Sequence, residues 1–231
     1  YHALSRLWHT LLNLFQRFRP RRPIDGLIIT VPASSFLKSY TARKEDFSEL
    51  AEALHSRLGE AQNYLGMALP IYLIITKSDQ LSGFSEMAGL LSQDQLGEAF
   101  GWSSPYMPGA AYSSGWCDEA CATLVKKTQE FITEALTLSG THDDWRRRAL
   151  LLPTSIEQMS EHLNSFMNTV FRISNFNQSA SLRGIYFTGQ IPDTSPAIVS
   201  NSSISANTSQ SATLGRLGFT HGLFERKIFP E

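Results

Sequence analysis

The sequence predicts an α/β fold: a parallel sheet with helices packed on it, accompanied by a helical subdomain. Three observations carry the prediction. Two short, largely apolar runs, residues 24–31 and Ile71-Tyr72-Leu73-Ile74-Ile75-Thr76, have the texture of strands covered on both faces. Between them, residues 43–65 place Phe47, Leu50, Leu54, Leu58, Ala61 and Leu65 at helical spacing, so strand, helix and strand follow one another as a βαβ unit. Directly behind the second run stands Thr76-Lys77-Ser78-Asp79, at the strand end where open parallel sheets bind ligands.

Taken in order, residues 3–18 carry Leu4, Leu7, Trp8, Leu11, Leu12, Phe15 and Phe18 in an amphipathic helical pattern, stopped by Pro20 and Pro23. The first strand follows over 24–31, then a loop over 32–40, the helix over 43–65 and the second strand over 71–76. Residues 81–180 show no comparable buried strand. Helical patterns run over 84–91, 94–100, 116–138 and, beyond Pro153, 156–173. The Gly-, Ser-, Pro- and Tyr-rich stretch 101–115 reads as an ordered loop. A last strand is expected over 182–188. Residues 192–213, dominated by Ser, Asn, Thr and Ala with almost no charge, predict a flexible loop. The organisation is therefore an α/β domain over 1–80 and 181–191, a helical subdomain over 81–180, the loop, and a C-terminal segment over 214–231.

Bulk properties narrow the function classes. A chain of 231 residues, 42% apolar, buries a substantial core. The net charge of −1 generates no whole-chain field for nucleic acid, so no nucleic-acid partner is expected. Cys117 and Cys121 lie one helical turn apart, the placement of two small buried hydrophobes in a reduced, cytosolic chain rather than of a disulfide. Nothing with zinc-site spacing accompanies them, and the six histidines are scattered, so no metal site is supported. No apolar stretch approaches the ~20 residues of a membrane helix. Tyr1 opens straight into an amphipathic pattern, so the sequence reads as part of something longer. A Gly-x-Ser-x-Gly elbow is absent, and an independent catalytic reading has no residue to rest on.

The chemistry lies in Thr76-Lys77-Ser78-Asp79. A buried strand ending in [NT]-K-x-D is how GTPase-type domains grip a purine base. The Asp carboxylate accepts two parallel hydrogen bonds from a guanine edge, and the Lys stem lies along the base with its ammonium in water. Thr188 and Gly189, behind the last strand, are candidates for the backbone and hydroxyl contacts beside that base. The competing reading is a plain strand-to-loop turn in which Asp79 bonds its own backbone. The companion phosphate loop G-x-x-x-x-G-K-[ST] is absent. Lys38, Lys77 and Lys127 alone precede a Ser or Thr, and none follows a glycine. The expected fold is thus P-loop-NTPase-like, shown without its phosphate site.

A second cluster is Arg17, Arg19, Arg21 and Arg22. With Arg6 they make five basic residues and no acid across residues 1–22. One reading is a docking patch for a partner or an anionic membrane. The other is a solvated helix end whose cations complement the C-terminal dipole.

Five segments in order carry a family resemblance. Residues 19–30, RPRRPIDGLIIT, are similar to an "RPxNG" strand with Asp25 in place of the usual Asn. Residues 69–84, Leu69 to Gln80 with Leu81, Gly83 and Phe84, resemble the second strand and base motif. Arg146-Arg147-Arg148-Ala149-Leu150 running into Leu152-Pro153 resembles a helical linker. Residues 182–189, LRGIYFTG, look like an "LRGVYFTSG" strand, and residues 223–231, LFERKIFPE, are close to an "LFxxVIFPE" ending. Together these resemble the cytoplasmic domain of the IcmF/TssM family of bacterial type VI secretion. The resemblance implies an inner-membrane protein with this domain on the cytoplasmic side and the C-terminal segment leading toward a membrane helix. It implies the TssL and TssJ membrane-complex partners, baseplate components and self-association. It leaves open GTP or ATP with Mg2+ as cofactor, since some members carry an upstream phosphate loop and others have lost it. Two functions stand at this point: a scaffold of the trans-envelope complex, nucleotide-regulated if Lys77 and Asp79 hold a base, or an active NTPase whose hydrolysis drives assembly. A diverged GTPase unrelated to secretion is disfavoured by the conjunction of five segments.

Overall fold

Strand β1 (Leu27–Pro32) pairs in parallel with β2 (Pro70–Thr76), and β2 pairs in parallel with β4 (Ser181–Phe187). On the far side of β4, the three-residue β3 (Gly101–Ser103) runs antiparallel, giving the order β1-β2-β4-β3. The computed structural model describes residues 2–37, 44–139, 147–173, 180–191 and 216–230. Its helices are α1 (His2–Phe18), α2 (Lys44–Leu65), α3 (Phe84–Gly89), α4 (Gln93–Gly97), α5 (Gly115–Ser139), α6 (Leu151–Val170) and the single turn α7 (His221–Leu223). The α/β architecture with a parallel-containing sheet is as the two apolar runs predict.

One sheet face is heavily covered. Ile29, Val31, Ile71, Leu73, Ile75, Ile185 and Phe187 join one buried cluster with Ala51 and Leu58 of α2, Cys117, Cys121 and Leu124 of α5, and Ile156, Leu163 and Phe166 of α6. Helix α6 packs on both α5 and α2. The rings of Phe36, Phe47 and Phe166 meet within that cluster, Phe47 and Phe166 stacked at 4.9 Å. The opposite face is thinner. Tyr72, Ile74 and Tyr186 are roofed by Leu223, Phe224, Ile228 and Ala99, so the apolar C-terminal segment serves as a lid on the sheet. Burial on both sides explains why β2 reads as an unbroken apolar run.

Several boundaries and several short elements differ from expectation. The expected loop 101–115 opens with strand β3, whose three residues are too few to show alternation; Gly101 lies so close to β4 that a Cβ would stand 2.3 Å from the Ile185 carbonyl oxygen. Helix α6 starts at Leu151, ahead of Pro153, because a proline in the first turn removes only an amide that has no helical partner anyway. The first strand begins three residues late, at Leu27. The expected loop 32–40 contains a 3-10 turn, Ala33–Phe36, that delivers fully buried Phe36 to the core. After β4 the chain makes a small antiparallel ribbon, β5 (Gly189–Ile191) with β6 (Arg216–Gly218). The flexible-loop expectation for 192–213 falls outside the described residues. Helix α1 buries less than its broad apolar face suggests. Leu12 is sealed against Ala61 and Leu69, whereas Leu7, Leu11, Leu14 and Phe18 are exposed.

Both cysteines are free and buried. The hydrogen bond between them, with desolvation, pushes the Cys117 thiol above the usual thiol range, and the same bond holds Cys121 below it. Among the described residues no helix is long and apolar enough to cross a membrane, and no group of three or more His, Cys, Asp or Glu side chains is placed to hold a metal ion.

Candidate functional site

The five candidate base-site residues come together at the C-terminal edge of β2 and β4. Strand β2 ends at half-buried Thr76. Lys77 then adopts the left-handed conformation, φ 53° and ψ 40°, with its side chain exposed. That turn sends Ser78–Gln80 into one 3-10 turn, in which the Gln80 amide donates to the Lys77 carbonyl at 3.0 Å and the Leu81 amide to that of Ser78 at 2.9 Å. Parallel pairing of β2 and β4 brings Thr188 alongside. Its amide donates to the Ile75 carbonyl at 2.9 Å, and its carbonyl accepts from the Ser78 amide at 3.0 Å. The strand ends are stitched together by backbone.

Asp79 completes the stitch. Its Oδ1 accepts from the Gln190 amide at 2.9 Å, so the carboxylate caps the turn that leads from β4 into β5. Gly189 is required for that approach. A Cβ there would stand 2.8 Å from the Asp79 amide nitrogen and 2.8 Å from the Phe84 ring. One carboxylate oxygen is therefore already engaged by the protein, whereas a bidentate grip on a guanine edge uses both. Lys77 has the exposure that a stem lying along a base needs.

Three participants escaped sequence reasoning. Ser78, the variable position of T-K-x-D, is fully buried, its hydroxyl donating to the Ile75 carbonyl at 3.1 Å. A small polar residue at that position is its one sequence signal. Gln190 enters through its backbone, and Phe84 through a ring packed under Gly189. Gln190 carries no signal in the chain, and Phe84, although part of the resembling segment 69–84, carries none that ties it to Gly189, because tertiary register places both.

The arginine cluster lies at the other end of the sheet, ~20 Å away along β1. Arg19 Nη1 donates to Asp25 Oδ2 at 2.9 Å and Arg22 Nε lies 3.0 Å from Asp25 Oδ1. The Arg17 guanidinium sits 6.0 Å from the Phe18 ring centroid, and Arg21 is exposed. Two of the four cations are thus occupied locally, and Asp25 is what occupies them. Beside them is a groove of about 570 Å3, with Phe15, Asp25, Ile28, Tyr72 and Phe229 in its walls.

The hydrogen bond from Arg19 holds the Asp25 carboxyl below the ordinary carboxylate value of 3.8. A depressed folded-state value stabilises the protein above the unfolded value and is lost as pH falls through the folded one. The Asp25 carboxyl, followed by NMR, is expected to titrate below 3.8, and Arg19→Gln to return it toward that value. An unchanged titration in Arg19→Gln would remove the contact from the account of this end.

Comparison with known proteins supplies context. The family model described as the IcmF-related N-terminal domain matches residues 3–231. Over 230 residues the chain is 27% identical to the type VI secretion system component TssM1 of Pseudomonas aeruginosa, an alignment covering 97% of this chain and 20% of that protein. The chain therefore spans about a fifth of that relative's length. No solved structure matches it at a significant level.

Proposed function

Because this chain belongs to the IcmF-related family, IcmF/TssM, we propose that it is a scaffold domain of a type VI secretion membrane-complex protein, on the cytoplasmic side of the bacterial inner membrane. The observation that carries this reading is the family match from residue 3 to residue 231, with no part of the α/β body left over. In this role the domain docks the TssL partner and the baseplate, and joins TssJ and further copies of itself in the trans-envelope complex. The fold is read as P-loop-NTPase-like. Parallel β1, β2 and β4 carry the base-motif residues at the end of the middle strand, a GTPase-like placement.

Within that fold, Asp79 acts first as a structural lock. Its Oδ1 bond to the Gln190 amide ties two loops across the sheet edge. A second reading, regulation by GTP or ATP with Mg2+, is favoured by the meeting of Lys77, Asp79, Thr188 and Gly189 at one edge. Base binding there requires Asp79 to share or release Gln190. An NTPase that hydrolyses nucleotide further requires a phosphate site, and the G-x-x-x-x-G-K-[ST] loop that usually supplies it is not among these 231 residues.

Titration of fluorescent GTP and ATP, wild type beside Asp79→Ala, separates the readings. The scaffold reading expects neither nucleotide to bind, while Asp79→Ala lowers stability by ~0.5–1.5 kcal/mol through loss of the exposed hydrogen bond from the Gln190 amide. GTP-selective binding that Asp79→Ala abolishes would replace the lock with a nucleotide switch.

A further inference from the structure

A cavity of about 280 Å3 opens between α3, α5 and the segment after β6. Met87, Phe100, Leu124, Phe131 and Phe219 make its walls, and Lys127 is the one charged residue in its lining. Thr128 also lines it. That residue is 4% exposed, and its hydroxyl is buried with no hydrogen-bond partner among the described residues. Helical threonines normally return their hydroxyl to the carbonyl four residues back. Thr10, Thr133, Thr137 and Thr169 of this protein do so, at 2.8, 2.7, 2.8 and 3.0 Å. Thr128 does not, and a buried hydroxyl without a partner is costly enough to call for a reason. The opposite wall shows a second departure. Phe219 holds φ at 64°, a conformation rare for a bulky side chain, with its amide donating to the Leu96 carbonyl at 2.9 Å.

We propose that this cavity is a binding site for a small carboxylic acid with an apolar body. The walls take a ring or branched chain, Thr128 donates its hydroxyl proton to one carboxylate oxygen, and the Lys127 ammonium faces the other at the mouth. Apolar walls with a few convergent polar groups are the usual make-up of a ligand pocket. An apolar cavity of ~150 Å3 holds a benzene ring, so this one has room for roughly ten non-hydrogen atoms. The site is separate from the Thr76–Asp79 edge and stands whether or not that edge binds a nucleotide.

The probes are 3-phenylpropionate and its neutral amide, followed by chemical-shift changes in labelled protein. Wild type is expected to bind the acid, with shifts concentrated at the Met87 methyl and Thr128. Thr128→Val keeps the shape and removes one hydrogen bond, so affinity should fall about five-fold while the fold is retained. Lys127→Gln should weaken the acid and leave the amide unchanged. Binding that is equal in wild type and Thr128→Val, or no shift at the cavity with either probe, overturns the proposal and leaves Thr128 a packing residue.

Discussion

Gly83→Ala is expected to destabilise the protein by about 3 kcal/mol or more, from two causes that add at one backbone position. Gly83 holds φ at +88°, where an L side chain is disfavoured by roughly 1–2 kcal/mol. The added methyl would also stand 2.5 Å from the Leu152 amide nitrogen and 2.8 Å from the Arg148 carbonyl oxygen. Both neighbours are backbone, Leu152 in α6 and Arg148 in the 3-10 turn just before it, and cannot swing aside, so overpacking adds ~1–3 kcal/mol. The junction is also tied by the Ser155 hydroxyl, which donates to the Ser82 carbonyl at 3.1 Å. Gly109→Ala separates the two causes: φ is +87° there and nothing lies within 4 Å of the added carbon, so only the conformational part remains. Urea unfolding of both variants decides. Equal losses in the two would show that the contact with α6 contributes nothing.

Phe84→Ala should cost ~3–5 kcal/mol, the range for deleting a fully buried aromatic side chain. Phe84 is 0% exposed. Its ring meets Phe219 edge-on at 5.8 Å and Phe100 at 6.2 Å, and it underlies Gly189. The loss should therefore have a local signature as well as a global one. With the ring gone, Gly189 loses its support and the Gln190 amide, now bonded to Asp79, should exchange with solvent faster than amides in the middle of β2. Hydrogen exchange read residue by residue tests this. If Gln190 keeps its wild-type protection while overall stability falls, the ring supports the core but not the turn.

Much of the fold is legible in the chain because its signals are local. The unbroken apolar run of β2 reports burial on both faces, and the helical spacing in residues 43–65 reports α2. The Thr-Lys-Ser-Asp motif marks where the middle strand ends. Other features have no local signal. Strand β3 is three residues long and exists because Gly101 fits against the Ile185 carbonyl. Only part of the apolar face of α1 is used, since α2 and the start of β1 cover Trp8 and Leu12 but not Leu7, Leu11 or Leu14. The four arginines look equivalent in the chain, yet Asp25 takes Arg19 and Arg22 and leaves Arg21 exposed.

The candidate site divides along the same line. That Lys77, Asp79, Thr188 and Gly189 belong together followed from the order of motifs along the chain. What the Asp79 carboxylate does was decided by tertiary structure. Parallel registration of β2 with β4 sets Gln190 2.9 Å from Asp79 Oδ1, and a missing side chain at Gly189 permits the approach. Residue identity alone determined which chemistry could assemble at this edge. A backbone amide more than a hundred residues away, invisible to any motif, determined that one oxygen of this carboxylate is engaged within the protein.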